Sequence, residues 1–133
     1  MKIILASGPV VIEDEKVLLN REKKDYGTTP WLFPGGKAEP GETDPEIICK
    51  REIAEEMGIK IEIIKKLKTL EGKSFSNNKD KKYILHHYLA KRIGDIKPAN
   101  NIIEWGWYDI DNLPNNCAPN VYEIIKDYKN NNK

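Results

Sequence analysis

Residues 35–59, GGKAEPGETDPEIICKREIAEEMGI, carry the local signals from which the fold is interpreted. They predict a helix that begins near Asp44, because Asp is a favoured N-cap and Pro45 suits the first helical position, where no backbone N–H is needed. Gly58 is typical of a residue that ends a helix. We therefore expect a glycine-containing loop followed by a short, well-capped helix.

The predicted helix has an acidic face. Glu52, Glu55 and Glu56 are three and four residues apart, so they share an arc of about 100° on one side. The residues expected to pack into the core on the other side are Cys49, Ile53, Ala54 and Met57. An acidic helix face is commonly just solvated. Three like charges on one arc repel, however, and Mg²⁺ would relieve that cost because it prefers carboxylate oxygens as ligands.

Glycines before the helix allow a close approach to a ligand. Gly35 and Gly36 have no Cβ to keep a metal ion or a phosphate away from the backbone, and Gly41 allows a bend that returns Glu42 toward the helix. A plain turn explains these glycines equally well. The glycines alone therefore decide nothing.

Loop and helix together resemble the box of the Nudix hydrolases, MutT-like members included. That box is Gly, five residues, Glu, seven residues, then Arg-Glu-apolar-x-Glu-Glu-x-Gly-apolar. Gly36 and Glu42 match the first part, and residues 51–59 match the second part completely. Eight residues, not seven, separate Glu42 from Arg51, and we place the extra one at Thr43, before the helix.

The rest of the chain predicts a mixed set of elements. A polar turn is expected at residues 13–15 and an exposed loop or hairpin tip at 73–82. Strands are expected at 3–12, 17–19, within 59–70, at 83–92 and at 102–110, and a last helix at about 119–128. This is an α+β pattern. The resemblance, which WLFPGG (31–36) and WGWYDIDNLP (105–114) extend, implies one Nudix domain at 1–133. It would be an α/β/α sandwich with a mixed sheet and a loop–helix–loop box at 36–59.

Composition limits partners and location. The chain has 133 residues, with 22 Lys and Arg against 21 Asp and Glu, a formal net charge of +1. That balance gives no bulk attraction to nucleic acid or to an anionic membrane. No signal peptide and no run of about 20 apolar residues is visible, so we expect a soluble cytoplasmic protein. Cys49 and Cys117 are expected to be ordinary buried thiols. The resemblance leaves a homodimer open.

The resemblance also implies roles for residues of the box. Mg²⁺ (or Mn²⁺) would be bound by Glu52, Glu55 and Glu56, with the carbonyl of Gly35 or Gly36 as a helper. Such ions lower the pKa of a bound water, and the resulting hydroxide attacks one phosphorus in line while the other phosphate leaves.

Further catalytic roles follow from the same resemblance. Arg51 would steady the box glutamates, with Glu42 as its partner. The general base is left open between Glu52 and Glu104. Glu104 is the acidic loop candidate between Asp95 and Asp109, and its alternative is a plain strand-edge or solvent-facing Glu. Neighbouring His86 and His87 are expected to point to opposite faces of a strand and to be structural.

A nucleoside triphosphate, cleaved to monophosphate and pyrophosphate, is the first substrate hypothesis. The stretch CAPNVYEII (117–125) resembles the segment where members that cleanse mutagenic nucleotides carry a base-reading Asn. Asn120 falls there, and its amide can both donate to and accept from a purine edge. A helix N-cap or a turn residue is the equal alternative. Phe33 and Arg21 are the other substrate-binding candidates, with surface charge as the alternative for Arg21. The pair Arg21-Glu22 departs from the paired arginines of members that act on oxidised guanine nucleotides.

Other substrates and another class of function stay open. ADP-ribose or a dinucleoside polyphosphate is the second hypothesis, although Phe75 stands where ADP-ribose members often have Pro. Stacking on a base is conceivable for Tyr26, Trp31 and Trp105, with packing as the alternative. A non-catalytic nucleotide-binding module is the third hypothesis. Such modules usually lose box carboxylates, and all three helical ones are present here.

Overall fold

The computed structural model describes residues 2–73 and 81–131. The strands are β1 (Lys2–Glu13), β2 (Lys16–Lys24), β3 (Gly27–Thr28), β4 (Gly36–Lys37), β5 (Lys60–Lys66), β6 (Leu70–Lys73), β7 (Lys81–Ile93) and β8 (Ile102–Asp109), and the helices are α1 (Pro45–Met57) and α2 (Pro119–Asn131). The predicted helices and the strands β1, β5, β7 and β8 are confirmed to within a few residues. β2 continues to Lys24, well beyond the end predicted at residue 19. The loop expected at 73–82 lies mostly outside the described residues.

A mixed sheet forms the middle of the fold. Its strand order is β3-β2-β1-β7-β5, with β4 beside β1, β6 beside β7 and β8 beside β2. The central strands β1 and β7 are parallel, with Lys2 opposite Lys81 and Val11 opposite Ala90. The other pairings are antiparallel. The mixed sheet expected from the sequence is therefore confirmed.

A tight turn joins β1 to β2. Asp14 and Glu15 have φ of 50° and 63°, and Glu13 pairs directly with Lys16. Two consecutive residues with positive φ are typical of the two-residue hairpin turn whose twist matches that of the flanking strands. The turn predicted at residues 13–15 is confirmed.

One helix covers each face of the sheet. On one face, α2 and the two residues before it share a buried cluster with the first strands and the segment after β3: Val10, Val17, Leu19, Trp31, Phe33, Cys117, Ala118, Val121, Ile124 and Ile125. On the other face, residues of α1 form a second cluster with residues at β5 and β7: Cys49, Ile53, Met57, Ile59, Ile61, Tyr88 and Ala90. Both cysteines are buried and free, as expected. The arrangement is the predicted α/β/α sandwich.

Helix α1 begins and ends where its caps predict. The side chain of Asp44 accepts a hydrogen bond from the Glu46 backbone N–H at 2.9 Å, and Pro45 is the first helical residue. Gly58 ends the helix in the left-handed conformation, with φ of 65°. One expectation is wrong, because Ala54 is exposed. It lies about 100° beyond Ile53 around the helix and so falls outside the buried arc.

Neither α1 nor α2 is long and apolar enough to cross a membrane, within the part of the chain that the structure describes.

Candidate active site

The acidic face of α1 is graded in its exposure to solvent. Glu55 is exposed, Glu52 is half-buried, and Glu56 is buried with 6% of its surface accessible. The three carboxylates therefore meet different environments although they share one side of the helix. The solvated-face interpretation fits Glu55 and does not fit Glu56.

Arg51 is the centre of an ion-pair network. Its Nε and Nη2 donate to the two carboxylate oxygens of Glu42 at 2.7 and 2.6 Å. Its Nη1 donates to Glu52 at 2.9 Å and to Glu55 at 3.1 Å. These hydrogen bonds raise the pKa of Arg51 and lower that of Glu42. The predicted pair of Arg51 and Glu42 is present, so the extra residue at Thr43 is absorbed by the loop.

The loop that contains Gly35 and Gly36 packs tightly against β1 and α1. A Cβ at Gly36 would overlap the carboxylate of Glu52. Gly35 has φ of 148°, and a Cβ there would lie 2.6 Å from the Ser7 carbonyl oxygen. A larger residue at position 36 would push the loop away from the acidic face, and one at position 35 would push it away from β1. The glycines thus keep the backbone of residues 35 and 36 beside Glu52.

Glu56 belongs to a buried polar group that continues into β2. The Asn20 amide donates to its Oε2 at 3.4 Å, and Asn20 is fully buried. Glu22, 6% exposed, receives a hydrogen bond from Asn101 at 3.3 Å. Burial, together with the charges of Glu22 and Glu52, raises the pKa of Glu56. Burial likewise raises the pKa of Glu22.

This buried group suits a hard divalent cation. Within the described residues, Asn20 Oδ1 is buried and accepts no hydrogen bond. That oxygen and the carboxylates of Glu22, Glu52 and Glu56 are ligands of the type that Mg²⁺ prefers. No three His, Cys, Asp or Glu side chains of the described residues are already gathered into a metal site. Arg51 instead holds Glu52 and Glu55, so a cation would compete with its guanidinium.

Asn20 and Glu22 are functional candidates that the sequence reasoning missed. They lie in β2, far along the chain from the box, and only the sheet brings Asn20 against α1. The signal that was available is the run VLLNRE (17–22), in which Asn20 and Glu22, two positions apart, follow three apolar residues in the same strand. Alternation places such residues on one face.

Glu104 lies in strand β8, within the strand predicted at 102–110, so it fits the alternative of a solvent-facing strand residue and not that of a loop glutamate. It is opposite Arg21 of β2, and its Oε1 is 3.1 Å from Arg21 Nη1. Arg21 also donates to the Thr29 carbonyl at 3.1 Å. Alternation along β2 sends Arg21 to the face opposite Asn20. The structure thus brings Arg21 and Glu104 to each other and not to the α1 carboxylates.

The remaining substrate candidates meet on the α2 side of the sheet. The rings of Phe33 and His87 contact edge to face, with centroids 5.7 Å apart. Asn120 Nδ2 is 3.0 Å from His87 Nε2. Asn120 is the second residue of α2, so the alternative that it is the N-cap is wrong. The expected structural role of His87 agrees with its burial at 3% exposure.

The aromatic residues proposed for stacking differ in exposure. Trp31 is 9% exposed and packs against Tyr108, with ring centroids 4.8 Å apart, so it is a core residue. Tyr26 and Trp105 are 50% and 39% exposed. Those two rings are accessible to a ligand.

Comparisons with known proteins agree with this geometry. The family model of the NUDIX domain matches residues 5–128. An ADP-ribose pyrophosphatase of Methanocaldococcus jannaschii is 32% identical over 127 residues, which cover 93% of this chain and 72% of that protein. An oxidized purine nucleoside triphosphate hydrolase of Danio rerio is 26% identical over 105 residues, covering 79% of this chain and 65% of that protein.

A solved structure shows the same fold. The MutT Nudix hydrolase from Burkholderia pseudomallei has a TM-score of 0.83 and 24% identity, with 96% of this chain and 98% of that one covered. Nudix hydrolases generally use divalent metals such as Mg²⁺. With the family model matching most of its length, this chain belongs to the Nudix family and is a pyrophosphohydrolase that acts on diphosphate linkages of nucleotides.

Proposed function

We propose that the chain hydrolyses a nucleoside triphosphate to the monophosphate and pyrophosphate. The observation that carries this is the loop from Phe33 to Gly36. Phe33 lies beside His87, the partner of Asn120, and Gly36 lies beside Glu52. Three residues span at most about 10 Å. A base near Asn120 and a polyphosphate near the α1 carboxylates are therefore within reach of one nucleotide.

The carboxylates of Glu52, Glu55 and Glu56, with the carbonyl of Gly36, are the residues that we propose hold Mg²⁺ or Mn²⁺. When bound, the cation neutralises charge on phosphate oxygens and lowers the pKa of a water molecule. Two hydrogen bonds to Glu42 already hold the guanidinium of Arg51 beside the acidic face. Arg51 then orients Glu52 and Glu55 for the ligand.

For the general base, we propose Glu52. Its carboxylate is half-buried beside Gly36. There the attacking water would give its proton to Glu52 as the water oxygen attacks phosphorus and the second phosphate leaves. Glu104 stays the alternative base, but its ion pair with Arg21 holds it on the other face of the sheet. Arg21 could contact a phosphate of the substrate only after its ion pair with Glu104 breaks.

ADP-ribose is the second candidate substrate. The relative from M. jannaschii that favours it is named an ADP-ribose pyrophosphatase and is 32% identical. The same carboxylates would serve, because both substrates contain a diphosphate linkage. Phe75, which weighed against ADP-ribose, lies outside the described residues.

A substrate panel with Mg²⁺, run with and without EDTA, separates the candidates. It contains the eight common nucleoside triphosphates, 8-oxo-dGTP, ADP-ribose and diadenosine tetraphosphate, with products resolved by chromatography. Pyrophosphate released from a triphosphate supports the first proposal. Cleavage of ADP-ribose alone would support the second candidate, and cleavage of diadenosine tetraphosphate alone would support a dinucleoside polyphosphate as the substrate. Mg²⁺ binding without any turnover would favour a nucleotide-binding module.

A further inference from the structure

His87 is a buried ring held by a hydrogen bond at each nitrogen. Its Nδ1 lies 2.9 Å from the carbonyl oxygen of Lys68, and its Nε2 lies 3.0 Å from Asn120 Nδ2. The Phe33 ring contacts the His87 ring edge to face. The imidazole therefore has one orientation, fixed from both sides.

The Lys68 carbonyl decides which nitrogen carries the proton. A carbonyl oxygen can only accept, so Nδ1 must carry a hydrogen and donate it. In the neutral ring Nε2 then has a lone pair and can only accept. Burial lowers the pKa of His87 to about 4. The hydrogen bond to the Lys68 carbonyl and the charge of Glu123 oppose this shift but are weaker, so the ring is neutral at pH 7.

This proton placement orients the Asn120 amide. Only the NH₂ end of Asn120 can donate to the lone pair of Nε2, since its oxygen would repel that lone pair. The amide oxygen Oδ1 is therefore turned away from His87. Asn120 is half-buried, and the hydrogen bonds of the described residues include none to its Oδ1. An acceptor is left available at the site where the proposed function places the base.

We propose that His87 is a positioning residue that fixes the Asn120 amide, so that Oδ1 selects nucleotides whose base carries an exocyclic amino group. The inference rests on the proposed function, because it assumes that a base binds beside Asn120. The ligand it favours is an adenine, guanine or cytosine nucleotide over an inosine or uridine nucleotide. Inosine has no exocyclic amino group, and uracil has an oxygen where cytosine has its amine.

Two substitutions at His87 separate the two hydrogen bonds. In His87→Gln, the longer side chain brings Oε1 near the place of Nε2, so it can still accept from Asn120. In His87→Asn, the shorter amide can still donate to the Lys68 carbonyl but does not reach Asn120. His86→Gln is the matched control, because His86 is the neighbouring half-buried histidine on the other face of β7.

The kinetic test compares kcat and KM for ATP against ITP, GTP against ITP and CTP against UTP. We expect the unaltered protein and His86→Gln to prefer the amino member of at least one pair by roughly tenfold in kcat/KM, about the value of one hydrogen bond. His87→Gln should keep most of that preference. His87→Asn should reduce it to less than about threefold, mainly through KM, since the base is remote from the reacting phosphorus. An unchanged preference in His87→Asn would overturn the inference.

A spectroscopic test does not depend on turnover. In two-bond ¹H–¹⁵N spectra at pH 7, His87 should show a protonated Nδ1 and an unprotonated Nε2. Asn120→Asp should raise the pKa of His87, because a carboxylate there can only accept from a protonated Nε2. The opposite tautomer, or an unmoved titration in Asn120→Asp, would overturn the proposed orientation.

The failure of the proposed function has a different signature. If no triphosphate is hydrolysed, equilibrium binding of the same nucleotide pairs replaces the kinetics. Tighter binding of ATP than ITP, lost in His87→Asn, would then support the selection by Asn120 while the proposed hydrolysis fails. Equal binding of both members of every pair would refute the selection itself.

Discussion

Burial separates Glu56 from the other carboxylates of α1. The side chain lies against Asn20, Glu22 and Glu52. Burial and the charges of Glu22 and Glu52 raise the free energy of its charged form, and the hydrogen bond from Asn20 offsets only part of that cost. A residue placed so unfavourably for an apo protein becomes useful when a divalent cation supplies the missing positive charge. Substitution of Glu56 is therefore a sharp test of the proposed metal site.

Glu56→Gln should lower kcat by on the order of a hundredfold or more, because a proposed ligand of the cation loses its charge. The amide can still bond to Asn20, so the free energy of unfolding without metal should not fall. Steady-state kinetics and chemical denaturation measure the two quantities. Glu62→Gln, at an exposed position of β5, is the control and should leave both unchanged. Full activity in Glu56→Gln would remove this residue from the metal site.

Metal binding should release protons near neutral pH. The raised pKa of Glu56 means that this carboxyl group holds a proton which must leave before the group binds a cation. Mg²⁺ affinity should therefore increase as the pH rises. Calorimetric titrations in two buffers of different ionisation enthalpy measure the released protons, and Glu56→Gln should reduce their number. Equal release in both proteins would argue against Glu56 as the source.

The sequence predicted those side-chain contacts that join residues within one local motif. The pairing of Arg51 with Glu42 follows from the box, and the structure contains it. The contact of Asn20 with Glu56 and that of Arg21 with Glu104 join residues more than thirty positions apart. Such contacts depend on strand register, which no local pattern specifies.

The element that presents the site, α1, depends on its N-terminal cap. Asp44 satisfies a backbone N–H of the first turn, and Pro45 fixes the backbone where the chain enters the helix. These signals lie within a few residues of each other, so the sequence predicted both ends of α1. The two-residue strands β3 and β4 were not predicted, because only their pairing with β2 and β1 defines them.

Asp44→Ala should reduce the free energy of unfolding by about 1 kcal/mol, since the first turn loses its capping acceptor. Urea denaturation followed by circular dichroism measures the change. Asp25→Ala, an exposed residue between β2 and β3, is the matched control and should have almost no effect. If the two variants are equally stable, the cap contributes nothing to the folded state.

The whole molecule contains a buried histidine between its sheet and α2. An unfolded histidine titrates near pH 6.5, whereas the pKa of His87 in the folded protein is lowered to about 4. Between these values the unfolded state binds more protons, so stability is present in full above about pH 6.5 and is lost as the pH falls toward 4.

From this difference we expect His87 to lower the free energy of unfolding by about 2 kcal/mol between pH 7 and pH 5. Denaturation at both pH values, in the unaltered protein and in His87→Gln, measures the effect. Subtracting the second from the first removes the contribution of the carboxylates. The same pH dependence in both proteins would show that His87 does not hold a lowered pKa.

The overall architecture was predictable in class but not in topology. Alternating and helical patterns gave an α+β chain, and the resemblance added the sandwich. The parallel pairing of β1 with β7 joins segments about eighty residues apart. Nothing in either segment alone states which strand will be its neighbour, so the central pairing had to come from the structure.

Thr43 lies in a loop that accommodates one extra residue, and Arg51 still donates two hydrogen bonds to Glu42. The two side chains thus meet although the segment between them is one residue longer than in the family's box. A genome search that requires seven intervening positions would discard this chain. Allowing one insertion there, while keeping the pattern of residues 51–59 strict, would recover other enzymes hidden by the same small difference in length.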